Sequence, residues 1–299
     1  MEDRSRYVAA AAGVAVLATI LGIVAVARSP HGRPRDTAAG ALPGCVPDAT
    51  RPARAPLTDL AHAVAALTGD APTGKYTYVR ARTWSVDTTA EERPEIANRD
   101  ERLWWTADRS GRRQITVLPS LPLADLATAA PDPPTAGRVL VDLYRPGELA
   151  LVVDRPSADP AVLAAQLAAH EPPSNGHHAT VRAVADMYRY HAPDPAQRAA
   201  ALLVLADTDG LTACGTVTDR FGRTGLAISA DSDGGTTRHV LAIDSQQGSV
   251  LGYERVAVVQ PPQSSMRTPG VTAQVLFLTN ERTDTQSPVP QSPNGSSPT

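Results

Sequence analysis

Four side chains that could ligate a metal ion lie within the nine-residue segment "HEPPSNGHH", and these are His170, Glu171, His177 and His178. A metalloprotease helix uses the pattern His-Glu-x-x-His, which directs both imidazoles from one face of the helix. Here Pro172 and Pro173 interrupt a helix, and the histidine spacing differs from that pattern. A loop that extends to His191 could still wrap a transition metal, but a polar linker between two helices explains the segment more simply. We therefore predict no metal site.

Other catalytic and cofactor-binding patterns are incomplete. The aspartate-rich turns at Asp207 and Asp231 begin like a calcium loop, but neither continues with glycine at position six and glutamate at position twelve. The sequence has no Gly-x-Ser-x-Gly elbow and no phosphate-binding Gly-x-x-x-x-Gly-Lys. The paired carboxylates Glu91 and Glu92 lie in a polar, proline-containing loop. The sequence thus predicts a non-enzymatic protein without a cofactor, with an enzyme of unrecognised type as the alternative.

Three of the few aromatic residues, Trp84, Trp104 and Trp105, fall on neighbouring predicted strands. Because successive residues of a strand face opposite sides, Trp104 and Trp105 should point to different faces of the sheet. Only 4% of the residues are aromatic, so these side chains could simply fill a thin core. The alternative is that one of them lines an apolar ligand cavity, and all three are candidates for that role.

The chain has two cysteines, Cys45 in "AAGALPGC" and Cys214 in "LTACGTV". The first resembles a lipobox cysteine, but several arginines separate it from the preceding apolar segment, and Pro43 occupies a position where a small residue is expected. Two cysteines in an oxidising compartment favour pairing. We therefore predict a Cys45–Cys214 disulfide that closes a loop of about 170 residues, with two free thiols as the alternative.

The elements that must carry these residues begin with an uncharged segment of 21 residues, 7–27. A helix of this length spans about 30 Å, the thickness of the hydrocarbon core of a bilayer. The segment is longer than a typical signal-peptide core, so an uncleaved anchor is favoured over cleavage at the A-x-A pattern of residues 25–27. Six residues precede the segment and more than 250 follow it, so we expect a cytoplasmic N-terminus and an extracytoplasmic body.

Composition divides the rest of the chain. A net charge of −3 argues against nucleic acid as a partner. Residues 28–55 are rich in Pro, Arg and Gly, as in a linker, and residues 283–299 are rich in Ser and Pro, as in a disordered tail. The predicted order is a cytoplasmic N-terminus (1–6), a transmembrane anchor (7–27), a linker (28–55), one extracytoplasmic domain (56–282) and the tail (283–299).

Within the domain the hydrophobic period changes twice. Residues 57–67 have helical spacing, whereas residues 75–86 and 102–118 alternate with a period of two, and the latter range contains a hairpin turn. Asp-Pro pairs begin two helices in the middle of the chain, at Asp159 and Asp194, and the C-terminal part reads as five strands. Because helices and strands come in runs, the pattern predicts an α+β domain with a curved antiparallel sheet and a helical middle insert.

The order of these elements, with the phrases "YTYVRARTW", "ERLWWTADRSGRR" and "VTDRFGRTGLAIS", resembles a family of uncharacterised single-pass membrane proteins from actinomycete-type bacteria. Genes of that family are often encoded beside extracytoplasmic-function sigma factors, and the resemblance covers roughly residues 57–260. A helix followed by a curved antiparallel sheet is also similar to the fold of periplasmic lipoprotein carriers and sigma-regulator sensor domains. Many such relatives have a longer cytoplasmic region, whereas the six residues here are too few to bind a sigma factor.

The sequence therefore leads us to expect a membrane-anchored extracytoplasmic domain that binds a lipid-like ligand or a partner protein in envelope sensing or signalling. Its expected partners are the bilayer, through residues 7–27, and an envelope protein or a lipid-like ligand. The alternative is a cell-envelope hydrolase or metalloenzyme of unrecognised type that uses the region between His170 and His191.

Overall fold

In the computed structural model, which describes residues 51–67, 73–87, 95–120, 137–260 and 268–286, nine β-strands form one antiparallel sheet. The strands are β1 (Tyr76–Asp87), β2 (Glu95–Trp105), β3 (Gly111–Val117), β4 (Val139–Tyr144), β5 (Thr212–Thr218), β6 (Thr224–Ser232), β7 (Thr237–Asp244), β8 (Val250–Ala257) and β9 (Gly270–Thr283). Their spatial order is β4–β3–β2–β1–β9–β8–β7–β6–β5. Consecutive strands therefore pair in two runs, β1 to β4 and β5 to β9, and the pairing of β1 with β9 joins the two runs.

Four α-helices accompany the sheet in the same part of the chain: α1 (Arg54–Ala65), α2 (Pro160–His170), α3 (His178–Tyr188) and α4 (Pro195–Ala206). α1 precedes β1, and the other three lie between β4 and β5. The side chain of Asp159 accepts hydrogen bonds from the first turn of α2, and Asp194 forms a capping box with Gln197 at the start of α4. These caps explain why both helices begin at an Asp-Pro pair.

The main hydrophobic core lies between the helices and one face of the sheet. Its members include Leu57, Leu163, Val184 and Leu202 from the helices and Ile228, Leu241 and Phe277 from the strands. Full burial of one such side chain contributes roughly 1.5–3 kcal/mol. This apolar contact fixes the helices on that face.

The opposite face carries no helix among the described residues, and we call it the helix-free face. The two-residue period of the strands places a second apolar cluster there, which includes Trp84, Ala227, Val240, Val256 and Val271. Ala227 and Val240 have no exposed surface. The strands β6 and β7 are therefore buried on both faces.

The β5–β6 turn folds over the helix-free face. Arg223 of this turn donates to the carbonyl oxygens of Leu251 on β8 (2.9 Å) and Phe277 on β9 (2.6 Å). Nearby, Arg220 Nε lies 3.6 Å from Glu254 Oε1 on β8. Neighbouring strands are about 4.8 Å apart, so these contacts cross two to three strand spacings. The turn closes one end of the helix-free face.

The predicted α+β class with an antiparallel sheet is confirmed, and helices occupy the middle of the domain as expected. The strand β4 was not predicted. α1 begins at Arg54, inside the predicted linker, because its first turn packs against the core through Leu57. β9 ends at Thr283, the first residue of the predicted tail.

The predicted anchor, residues 7–27, lies outside the described residues, as do residues 1–6, the linker as far as residue 50 and residues 287–299. In the part of the chain that the structure describes, no helix is long and apolar enough to cross a membrane. All described residues belong to one compact unit, residues 36–299.

Candidate functional site

Four arginines and one aspartate lie side by side on the helix-free face of β1, β2 and β3. Cross-strand pairing places Arg102 of β2 opposite Arg80 of β1. Two residues further along, Asp100 lies opposite Arg82, and Arg112 lies on the neighbouring strand β3. Alternation along the strands keeps these side chains on one face. We call this group the arginine cluster: Arg80, Arg82, Asp100, Arg102 and Arg112.

Asp100 is the carboxylate at the centre of the arginine cluster, and its side chain is 1% exposed. Arg80 donates to Asp100 Oδ2 through Nε (3.0 Å) and Nη2 (2.9 Å). Arg102 donates to Asp100 Oδ1 through Nε (3.0 Å). Both carboxylate oxygens therefore already accept charge-assisted hydrogen bonds from guanidinium groups.

Arg82 differs from these neighbours because its guanidinium is buried without a hydrogen bond. The residue is 6% exposed, and none of the described groups accepts a hydrogen bond from its Nε or Nη1. Burial lowers the pKa of Arg82, and the attraction of Asp100 only partly offsets this effect. Leaving a buried donor unsatisfied costs about 1–3 kcal/mol, and more for a charged group. The folded protein therefore holds this guanidinium at a cost in stability.

Two amide side chains extend the buried polar surface around the arginine cluster. Gln114 of β3 lies opposite Arg102, and Asn98 of β2 lies opposite Trp84. Asn98 donates through Nδ2 to the Pro119 carbonyl (3.1 Å), but the side-chain oxygens of both amides lack partners in the described part of the chain. The helix-free face thus holds several buried polar groups that the described residues do not satisfy.

Two of the tryptophans predicted as cavity candidates border the arginine cluster. Trp84 follows Arg82 on the same face of β1 and belongs to the second apolar cluster. At the other end, Trp104 stacks on Tyr78 with ring centroids 4.8 Å apart, and the Arg112 guanidinium lies 4.6 Å from the centroid of the Trp104 ring. The arginine cluster therefore lies between two large aromatic side chains.

Trp105 lies on the helix-covered face, opposite to Trp104, where it packs in a small apolar cluster with Leu103 and Leu149. Its Nε1 donates to the Tyr190 carbonyl (2.5 Å), and its ring meets His191 edge-on at 5.4 Å. These contacts give Trp105 a structural role away from the arginine cluster. That any of the three tryptophans lines a ligand cavity stays a prediction.

Among the described side chains, the arginine cluster brings four guanidinium groups to one buried carboxylate, and Glu281 of β9 lies beside the cluster, opposite Tyr78. The side chains of Arg102 and Arg80 are 27% and 15% exposed, so solvent reaches the cluster at these two residues. A guanidinium has five N–H donors, no acceptor and no accessible deprotonated form. The arginine cluster can therefore bind acceptor oxygens, but it supplies neither a nucleophile nor a base.

The segment that carries the candidate metal ligands, for which we predict no metal site, forms ion pairs. His170, Glu171 and Asp186 each bring a ligand atom within 4.8 Å of the others. However, Arg182 lies 2.8 Å from Glu171, and His170 Nε2 lies 3.2 Å from Asp186 Oδ2. The hydrogen bond with Asp186 raises the pKa of His170. A guanidinium already neutralises the carboxylate that a metal cation would need.

The other histidines of this segment lie in separate environments. His177 is exposed, and His178 stacks on His239 of β7 with ring centroids 4.5 Å apart. His191 is buried and donates through Nε2 to the Val153 carbonyl (2.7 Å). Burial lowers the pKa of His191 to about 4. The fold therefore does not gather the histidines between residues 170 and 191 at one site.

One hydroxyl–imidazole pair lies on the helix-covered face, at the end of β6. Ser232 Oγ is 3.0 Å from His239 Nε2, and His239 Nδ1 is 2.7 Å from the Tyr253 hydroxyl. A serine nucleophile needs such a neighbouring base. However, His239 is 4% exposed, and burial lowers its pKa to about 3, far below the range in which a general base works best.

Cys214 lies at a β-bulge of the edge strand β5, where the pairing with β6 shifts between Ala213 and Gly215. Cys214 takes part in a disulfide, but its predicted partner Cys45 lies outside the described residues, so the pairing of these two stays a prediction. The chain before α1 runs along the same edge, because Ala213 N donates to the Arg51 carbonyl (2.8 Å). Cys45 is six residues from Arg51, a distance of at most ~20 Å in extended chain.

The arginine cluster was missed at the level of sequence, although a signal for it exists. In "YVRARTW", the alternate residues Tyr78, Arg80, Arg82 and Trp84 share one face of a strand. Arginines that lie between two large aromatic side chains are not typical of a solvated face. This pattern could have identified β1 as part of a site.

Comparison with known proteins gives no indication of what this site binds, so we interpret the site from its own chemistry. No protein-family model matches the chain, and no curated protein matches it. Among the described residues, the arginine cluster with its unpartnered Arg82 is the group whose chemistry points most directly to a ligand.

Proposed function

We propose that this protein is a membrane-anchored extracytoplasmic domain that binds a lipid-like ligand in envelope sensing or signalling, without enzyme activity. The arginine cluster holds the polar end of the ligand. The observation that carries the proposal is Arg82, which is 6% exposed and has two nitrogens that no described residue satisfies. Folded proteins pair their buried charges, so an unpaired one marks a position that a ligand completes.

The chemistry of the arginine cluster favours binding over catalysis. Its four guanidinium groups donate hydrogen bonds only. The single carboxylate, Asp100, already accepts from Arg80 and Arg102, so it is not available to take a proton from a substrate. A site of this composition recognises an acceptor-rich group and holds it in place.

Apolar surface adjoins the arginine cluster and supports a lipid-like ligand. Trp84, two residues from Arg82 on the same face of β1, belongs to one apolar cluster with Val86, Val256 and Val271. Ligand sites are mostly apolar, with a few polar groups that fix orientation. A molecule with a charged end and an apolar body matches this arrangement better than a fully polar molecule does.

The cellular location in this proposal is supported by sequence and by one structural observation. The uncharged segment of residues 7–27 is long enough to cross a bilayer, and residues 28–55 have the composition of a linker. Cys214 takes part in a disulfide, which is typical of proteins in oxidising compartments outside the cytoplasm. A domain so placed would meet lipid-like molecules of the envelope.

Native mass spectrometry of the full chain, extracted from membranes in a non-ionic detergent, tests the proposal. The wild-type protein should carry a ligand adduct that organic extraction identifies as lipid-like. Arg82→Met should lose the adduct, because it removes the unpaired guanidinium. Arg113→Met is the matched control, since Arg113 lies on the helix-covered face of β3 and pairs with Asp142 (2.8 Å). A wild-type protein that is repeatedly empty would exclude the proposed function.

A cell-envelope hydrolase is the second candidate, and it rests on the 3.0 Å distance between Ser232 Oγ and His239 Nε2. The test is labelling of the full chain by a fluorophosphonate probe, with Ser232→Ala as the control. We expect no labelling, because a base of such low pKa does not activate a serine at neutral pH. Labelling that disappears in Ser232→Ala would favour the hydrolase and contradict the non-enzymatic assignment.

A further inference from the structure

We infer that the polar end of the ligand is an oxyanion of the phosphate class, bound by Arg82 with Arg80 and Arg102 beside it. This inference rests on the proposed function and names the ligand chemistry of the same site. It is carried by the number of unsatisfied donors, by the charge balance and by the exposure of the neighbouring arginines.

The donors at the site define the atoms that the ligand must bring. Arg82 Nε and Nη1 are buried and have no acceptor among the described residues. Asp100 does not serve them, since its two oxygens accept from Arg80 and Arg102 instead. The ligand must therefore present at least two acceptor oxygens. Phosphate groups bring three or four oxygens in a tetrahedral arrangement, and guanidinium groups bind them with charge-assisted hydrogen bonds.

The charge balance favours a ligand with more than one negative charge. Among the described side chains, guanidinium groups outnumber carboxylates at the arginine cluster even when Glu281 of β9 is counted beside Asp100, and the centre of the cluster is shielded from water. Coulomb attraction is several-fold stronger near a protein surface or interior than in bulk water. A phosphate monoester carries about −1.5 to −2 charges at neutral pH, whereas a carboxylate carries one. A neutral polar head group would gain less from this attraction.

The exposure of the three arginines indicates how the oxyanion reaches Arg82. The side chains of Arg102 and Arg80 are partly exposed, whereas Arg82 lies deeper. Arg80 and Arg82 are two residues apart on one strand, and Arg102 faces Arg80 across the strand pair. The oxyanion therefore meets the exposed pair first and completes its hydrogen bonds at Arg82. Trp84 then adjoins the bound group on the apolar side.

Inorganic phosphate is the probe that tests this inference. The full chain in a non-ionic detergent is titrated with phosphate at constant ionic strength, with chloride as the reference salt, and binding is followed by calorimetry and by thermal unfolding. We expect saturable binding that raises the unfolding temperature in the wild type. Arg82→Met should raise the dissociation constant about tenfold or more. The control Arg113→Met should bind phosphate as the wild type does.

A second variant and a second ligand separate the possible outcomes. Arg82→Lys keeps the positive charge but loses the planar guanidinium donors, so it should bind phosphate with intermediate affinity. Micelles that contain an anionic phospholipid test whether the phosphate is that of a lipid head group. Binding of free phosphate without lipid would support the oxyanion site and exclude the lipid-like function. Lipid retained equally by the wild type and Arg82→Met would support lipid binding but overturn both the oxyanion site and the placement of the ligand at the arginine cluster, and absence of both phosphate and lipid binding would exclude both proposals.

Discussion

Replacing Arg82 by methionine should stabilise the ligand-free protein, although it removes a buried residue of a central strand. Methionine keeps an unbranched apolar stem of similar length and removes only the charged head. Arg82 Nε and Nη1 make no hydrogen bond to any described residue. The change therefore deletes two unsatisfied donors and breaks no hydrogen bond that the structure shows.

The magnitude follows from the cost of those donors. An unsatisfied buried donor costs about 1–3 kcal/mol, and the loss of attraction between Arg82 and Asp100 offsets part of that gain. We expect a net increase of about 2 kcal/mol in the free energy of unfolding, which corresponds to roughly 4–8 °C in the unfolding temperature of a domain this large. Arg80→Met should act in the opposite direction, because it removes two hydrogen bonds from the buried Asp100.

Chemical denaturation in phosphate-free buffer measures both variants. Tryptophan fluorescence should report unfolding, since all three tryptophans of the chain are buried in the folded state. Adding phosphate should narrow or reverse the difference between Arg82→Met and the wild type, since only the wild type gains ligand stabilisation. If Arg82→Met is destabilised as much as Arg80→Met, the guanidinium is compensated in solution, and the reasoning that assigns it to a ligand is wrong.

Three further predictions concern other parts of the molecule. If Cys45 pairs with Cys214, as the sequence predicts, mass spectrometry should show a gain of two alkylated thiols only after reduction, and two reactive thiols in the untreated protein would contradict this pairing. Burial holds the pKa of His191 near 4 in the folded state, below its usual 6.5. His191 therefore contributes about 3 kcal/mol to the free energy of unfolding above pH 6.5, and this contribution is lost as the pH falls from 6.5 to 4. His191→Gln should make the free energy of unfolding less dependent on pH over this range. Zinc added to the full chain should give no calorimetric signal of binding at His170, because Arg182 already pairs with Glu171. A signal that is present in the wild type and absent in His170→Ala would reveal a metal site.

Local signals predicted much of the fold because they act within a few residues of chain. The Asp-Pro pairs at Asp159 and Asp194 begin helices, since a side-chain acceptor and a proline at the first turn satisfy the helix N-terminus wherever the chain lies. The alternation of residues 76–87 forms β1 for a similar reason. β4 lacked such a signal because its side chains are largely exposed, and only pairing with β3 makes it a strand.

The sequence by itself determined the class of the domain, the Asp-Pro starts of α2 and α4, and the fact that Arg80 and Arg82 share one face of a strand with Trp84. Only the tertiary structure determined which groups lie opposite these two arginines. Strand pairing sets the register that places Asp100 opposite Arg82. Strand pairing and burial also place Arg80 and Arg102 where they donate to the two oxygens of Asp100. The sequence shows that an arginine carries a charge, but whether its donors find acceptors depends on the groups that folding brings near it.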